Sequence, residues 1–137
     1  MMHDGAMMED VMRLVAASLM LAFALAPAPG FAHGEPPQAA HGGLVQEAQE
    51  LWLELVVRES DVAVYVLDEA LKPVPASQVS GTATVLVGGK SYKVDLSPAG
   101  GNGLQGKLPV AATGRIVASV ALKVGGKSAS ARFAGGA

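Results

Sequence analysis

At 137 residues with no cysteine, the chain has room for one domain, and it excludes a disulfide framework, a thiol nucleophile, a cysteine-zinc site and a lipoprotein cysteine. Half of the residues are hydrophobic and only 4% are aromatic, too apolar a composition for a disordered chain. A formal net charge of −2 excludes a strongly basic nucleic-acid binder.

Leu14–Ala26 reads LVAASLMLAFALA, an uncharged run behind Arg13. It falls short of the roughly 20 apolar residues that span a bilayer, and its length suits the apolar region of a secretory signal. Pro27, Ala28, Pro29 and Gly30 stop a helix, and Gly30-Phe31-Ala32 offers small residues where a signal peptidase reads. The expectation is a signal peptide over 1–32 cleaved after Ala32, with cleavage after Gly30 as a second option and a retained membrane anchor as the competing reading. Asp4, Glu9 and Asp10 stand where a positive region belongs, which points to Met12 as the translation start; Met2, Met7 and Met8 are further options. Removing 1–32 leaves a domain with balanced charge and no methionine, so nothing steers it to nucleic acid or anionic lipid. The expected destination is the periplasm or the exterior, with no stable span after cleavage.

Residues 33–43, HGEPPQAAHGG, read as a flexible Pro/Gly tail. From Leu44 to the C-terminus, 44–137, a β domain is expected. Leu44–Gln49 reads as a first strand or a helical turn, strand being preferred. In Leu51–Arg58, Leu51, Leu53, Leu55 and Val57 take one face and Trp52, Glu54, Val56 and Arg58 the other, a period of two. Glu47, Glu50 and Glu54 have helical spacing, but the β-branched and aromatic content favours strand. Glu59-Ser60-Asp61 is expected to turn, and Val62–Asp68 alternates again. After the Lys72–Pro75 loop, strands are expected over Thr82–Val87, Lys90–Leu96, Leu104–Leu108, Arg115–Val124 and Lys127–Phe133. Gly88-Gly89 and Gly125-Gly126 suit two-residue hairpins, which need positive φ. The repeated VGGKS reflects turn chemistry rather than duplication. The pattern predicts an all-β, antiparallel immunoglobulin-like sandwich of about seven strands, with a small barrel as the alternative. Its core would be Val, Leu and Ala, with Trp52, Tyr65 and Phe133 supplying bulk.

Catalytic chemistry is poorly supplied. A Ser/His/acid arrangement needs a held histidine, and both histidines beyond residue 32 fall in the tail. Asp68-Glu69 is a neighbouring pair on a strand, so its carboxylates point apart; no phosphate-cradling glycine motif precedes a helix. A non-enzyme is expected. The tail is the one constellation with chemistry. Cleavage after Ala32 would join the new amine and the imidazole of His33 on one residue, with His41 and Glu35 close behind. Cleavage after Gly30 would place His33 third, where amine, amides and imidazole form a square-planar chelate. Nitrogen and oxygen donors suit Cu(II), Ni(II) or Zn(II), not sulfur-seeking Cu(I). The competing reading is two solvated histidines in a linker.

The AHGG tail leading into a strand, then VYVLD, KPVP, GTATVLVGGK, LSPAGGN and a final ARF, over residues 40–134, resemble a family of small exported bacterial β-sandwich proteins often encoded near heavy-metal efflux or copper-resistance systems. The resemblance implies an exported sandwich and a metal-resistance context. Relatives often carry Asp-His where this chain has Asp68-Glu69, so one potential ligand is missing and the tail histidines are left. The chain is more loosely similar to periplasmic copper-resistance sandwiches that hold Cu(II) through an N-terminal histidine, matching in plan and in His33.

Two functions follow as expectations. One is a periplasmic accessory protein binding Cu(II) or Zn(II) for an efflux partner, through His33, His41 and Glu35. The other is a structural or interaction module of the cell envelope, whose last strand, Lys127–Phe133, adds to a partner's strand, with Lys127 and Arg132 guarding the edge.

Overall fold

The computed structural model describes residues 35–136. They are all-β, with seven antiparallel strands: β1 (Leu44–Ala48), β2 (Leu51–Asp68), β3 (Val79–Val87), β4 (Lys90–Pro98), β5 (Gly103–Ala112), β6 (Arg115–Val124) and β7 (Lys127–Gly136). A 3-10 turn, Ala76–Gln78, precedes β3. The strands follow the order β1-β2-β5-β4-β3-β6-β7. The two ends of that order meet, giving a nearly closed, barrel- or sandwich-like sheet. Leu44 lies over Gly135, and the backbone N–H of Ser130 donates to the Gln49 side-chain oxygen at 3.0 Å. Among the described residues no ladder joins β1 to β7; side chains close the seam. The last strand is thus terminal in the order, as expected, but it faces β1 rather than open solvent.

β2 is extended over 18 residues, yet it is not straight. A straight strand rises about 3.3 Å per residue, so Glu54 and Tyr65 would stand some 36 Å apart. One imidazole, that of His41, touches both. Trp52 and Leu67 line one small cavity, and Leu51 and Asp68, the ends of β2, line one groove. Each of these pairs is equally spaced about Glu59-Ser60. The chain therefore doubles back there, at the left-handed Glu59 (φ 54°) and the register shift between Glu59 and Asp61. The reversal expected at Glu59-Ser60-Asp61 is made without a break in extended structure. The first limb pairs with β1 (Leu44↔Leu55) and the second with β5 (Tyr65↔Gly103).

The reversal also resets the alternation. Leu53, Leu55 and Val57 face inward on the first limb, and Val62, Val64 and Val66 on the second, none more than 6% exposed. An odd step from Val57 to Val62 would send the second set outward in an unbroken strand. Against them pack Ala83, Val85, Val94, Leu104, Ile116, Val120 and Phe133. Burying each such Val or Leu side chain contributes about 1.5–3 kcal/mol. Phe133 supplies bulk to this core as expected; Trp52 is buried as expected, at 8% exposure, but outside this cluster, and Tyr65 is not buried in it. Both lie on the opposite face of the doubled β2, where Trp52 is buried and Tyr65 half-buried. The parity of the strand dictates this, since both alternate with the inward set.

Both diglycine hairpins form where expected, with φ of 57° and 81° at Gly88-Gly89 and 56° and 84° at Gly125-Gly126. β3, β5 and β7 run longer than expected, starting at Val79 in β3 and ending at Ala112 in β5 and Gly136 in β7, because these end residues still pair in the ladders (Val79↔Val124, Glu59↔Ala112, Arg115↔Gly136).

Candidate functional site

The outer face of the doubled β2 carries Trp52 and Glu54 on one limb and Tyr65 and Leu67 on the other. Residues 35–43 cross this face, so the segment expected to be a flexible tail is a docked arm. Its anchor is Glu54, whose side chain is 9% exposed. The Glu54 carboxylate accepts the backbone N–H of His41 (2.9 Å) and of Gly43 (2.9 Å), and the His41 ring Nδ1 lies 2.8 Å from it. Gly43 allows the close approach: a Cβ there would stand 2.3 Å from the Leu55 carbonyl oxygen. The His41 ring stacks on Tyr65 with centroids 3.6 Å apart and planes 5° from parallel. The Arg58 guanidinium donates to the His41 carbonyl at 2.9 Å.

Burial alone would raise the Glu54 carboxyl. The His41 ring, then the N–H groups of Gly43 and His41, outweigh it and hold the carboxyl below its usual range. Glu54 is therefore ionised and accepts only, so His41 Nδ1 must carry the proton. The ring is left with Nε2, which makes no hydrogen bond among the described residues, on a side chain 42% exposed.

Beside the ring lies a cavity of about 60 Å³, walled by Pro37, Gln38, Trp52, Tyr65 and Asn102 among others. Asn102 is fixed: its amide donates to the Val66 carbonyl at 3.0 Å, while its own carbonyl accepts the Val66 N–H at 3.1 Å. This ties the loop 99–102 between β4 and β5 to the second limb of β2.

Of the residues expected to bind metal, His41 is held as described. Glu35 is exposed, and no three His, Asp or Glu side chains converge as a metal cage among the described residues. His33 and the segment 1–32 lie outside the described residues. The residues that the sequence reading missed are Glu54, Tyr65 and Arg58. A signal for them was present: Glu54 is a carboxylate between Trp52 and Val56 on one strand face, and folding about Glu59-Ser60 sets it beside Tyr65. No family model, curated protein or solved structure matches this chain.

Proposed function

We propose that the protein is an exported periplasmic accessory protein that binds a divalent metal, Cu(II) or Zn(II), and presents it to a heavy-metal efflux or resistance partner. In this reading residues 1–32 are a signal peptide and the domain is an immunoglobulin-like sandwich without catalytic activity. The observation that carries it is the grip on His41. A buried carboxylate on Nδ1 is the partner that metal-ligating histidines commonly have on their second nitrogen, and a solvated linker histidine needs none. His41 supplies one ligand through Nε2; His33, the new amine and Glu35 supply the rest. Intact and native mass spectrometry of the exported protein, with and without one equivalent of Cu(II), tests this. A mature N-terminus at His33 or Phe31 with one copper held against a chelator is expected, and lost in His33→Ala and His41→Ala with the fold retained. A processed protein that stays metal-free sinks the reading.

The side-chain-closed seam between β1 and β7 favours a second reading, an envelope interaction module that takes a partner strand there. Such a strand would have to displace β1. Because the chain has no cysteine, a Leu44→Cys/Gly135→Cys pair can lock the seam selectively. A partner retained by the locked, oxidised form would exclude strand addition at this seam.

A further inference from the structure

We propose that the outer face of β4-β3-β6-β7 is a docking surface for an anionic lipid bilayer. The inference goes beyond the metal reading and uses none of its residues. The balanced charge read from the sequence is divided unevenly by the fold. β3, β4, β6 and β7 carry six Lys and Arg against one acid, Asp95. The other described residues carry three Lys and Arg against eight Asp and Glu. The described domain is therefore neutral in sum and bipolar in space, and an anionic surface attracts one side of it and repels the other.

Four of the six cations project outward. Strand alternation buries Val94, Ile116, Leu122 and Phe133 and exposes their neighbours Lys93, Arg115, Lys123 and Arg132. None of these four makes an ion pair among the described residues. The register sets them in a cross. Lys93, Thr84, Ser119 and Arg132 pair in one row over the four strands, so its two cations stand three strand gaps, about 14 Å, apart. Arg115 and Lys123 lie along β6, four residues to either side of Ser119, and about 26 Å from each other.

That spacing selects the partner. A compact anion reaches one cation at a time. A linear polyanion follows one line of the cross and misses the other. A bilayer presents headgroups in two dimensions and meets both lines at once. The outward positions of this face hold no aromatic side chain. The face therefore lacks a platform for stacking nucleic-acid bases and an aromatic anchor of the kind that centres a protein interface. Each Lys or Arg held near an anionic bilayer contributes about fivefold in binding, and Asp95, exposed beside Lys93 on β4, opposes this. Docking is thus peripheral and weakens as salt shortens the Debye length. It also orients the molecule. Trp52 lies on the outer face of β2, across the shared core from β3 and β6, and so points away from the lipid.

The test is cosedimentation of the full exported protein, without added metal. The vesicles are phosphatidylglycerol and phosphatidylcholine in equal parts, or phosphatidylcholine alone, at low and high salt. Binding is expected to the anionic vesicles at low salt only. Lys93→Gln/Arg132→Gln removes the line across the strands, and Arg115→Gln/Lys123→Gln the line along β6. Each pair should weaken binding about 30-fold. Asp95→Asn should strengthen it about fivefold, a gain that impaired folding cannot mimic. Lys107→Gln, on β5, should leave it unchanged, and brominated lipid should not quench Trp52. Equal binding to both vesicle types, no binding at low salt, full binding by both double variants, or quenching of Trp52 each overturns the proposal. A loss confined to one double variant, with long-chain polyphosphate bound in solution, overturns the bilayer in favour of a linear polyanion.

Discussion

The molecule reverses direction in two chemically different ways. The β3–β4 and β6–β7 hairpins turn on glycine pairs whose missing Cβ atoms would meet nothing within 4 Å, so glycine is there for its conformation. The β1–β2 connection and the reversal inside β2 turn instead on Gln49 and Glu59, ordinary residues at φ 54°. Each left-handed non-glycine residue costs about 1–2 kcal/mol, so contacts elsewhere must offset it. Gln49 accepts the N–H of Ser130, 81 residues away, and the doubled β2 is covered by the arm on one face and the shared core on the other. One side of the molecule is shaped by local turn chemistry. The other is shaped by contacts remote in sequence, and the candidate site is on that side.

The contrast breaks if the two sides fold apart. Leu53, on the doubled β2, is 0% exposed, and Leu122, on β6, is 2% exposed. Leu53→Ala and Leu122→Ala should each cost about 2–5 kcal/mol. Both should shift one common transition in urea, because their side chains belong to one core. Two separate transitions would show that the β1–β2 side is an independent unit and that remote contacts do not hold it.

A smaller effect isolates the arm. Glu54→Ala strips the acceptor from His41 N–H, Gly43 N–H and His41 Nδ1. The expected loss is about 1–3 kcal/mol, with faster hydrogen exchange and proteolysis confined to residues near 36–43. Protection that persists in this region would mean that Pro37 and the cavity wall, not the carboxylate, hold the arm.

The turns themselves give opposite signs. Glu59→Gly should stabilise by up to about 1 kcal/mol, and Gly89→Ala or Gly126→Ala should destabilise by about 1–2 kcal/mol. Thermal melts of the three variants read this directly. A destabilising Glu59→Gly would show that the Glu59 side chain, not its backbone, fixes the reversal.

What was legible in the sequence follows the same division. Alternation placed Leu53, Leu55, Val64 and Val66 on core faces, and the diglycines marked their hairpins, because strand period and left-handed turns are written in adjacent residues. Trp52 and Glu54 were correctly set on the face away from Leu53. What that face would meet was not legible. The arm's Pro/Gly composition says only that it has no regular structure, whereas its position depends on one carboxylate 13 residues from His41. Nor does hydropathy reveal that Tyr65, which the alternation sets opposite Val64 and Val66, lies under an imidazole: that depends on where residues 35–43 dock.

The smallest predicted effect is the pH dependence of the metal-free arm. Glu54's carboxyl is held below its usual range in the folded protein. A carboxylate depressed on folding contributes stability that is present above its ordinary unfolded value and is lost as pH falls through the lower, folded one. The docked arm should therefore be unaffected by acidification down to the ordinary carboxylate range and release below it. Once Glu54 is protonated, it can no longer accept every donor that the arm directs at it. Trp52 emission followed on acidification should show that step, displaced or absent in Glu54→Gln, while the Leu53 and Leu122 core stays folded by circular dichroism. A release that occurs at the same pH in Glu54→Gln as in the wild type would take control of the arm away from Glu54.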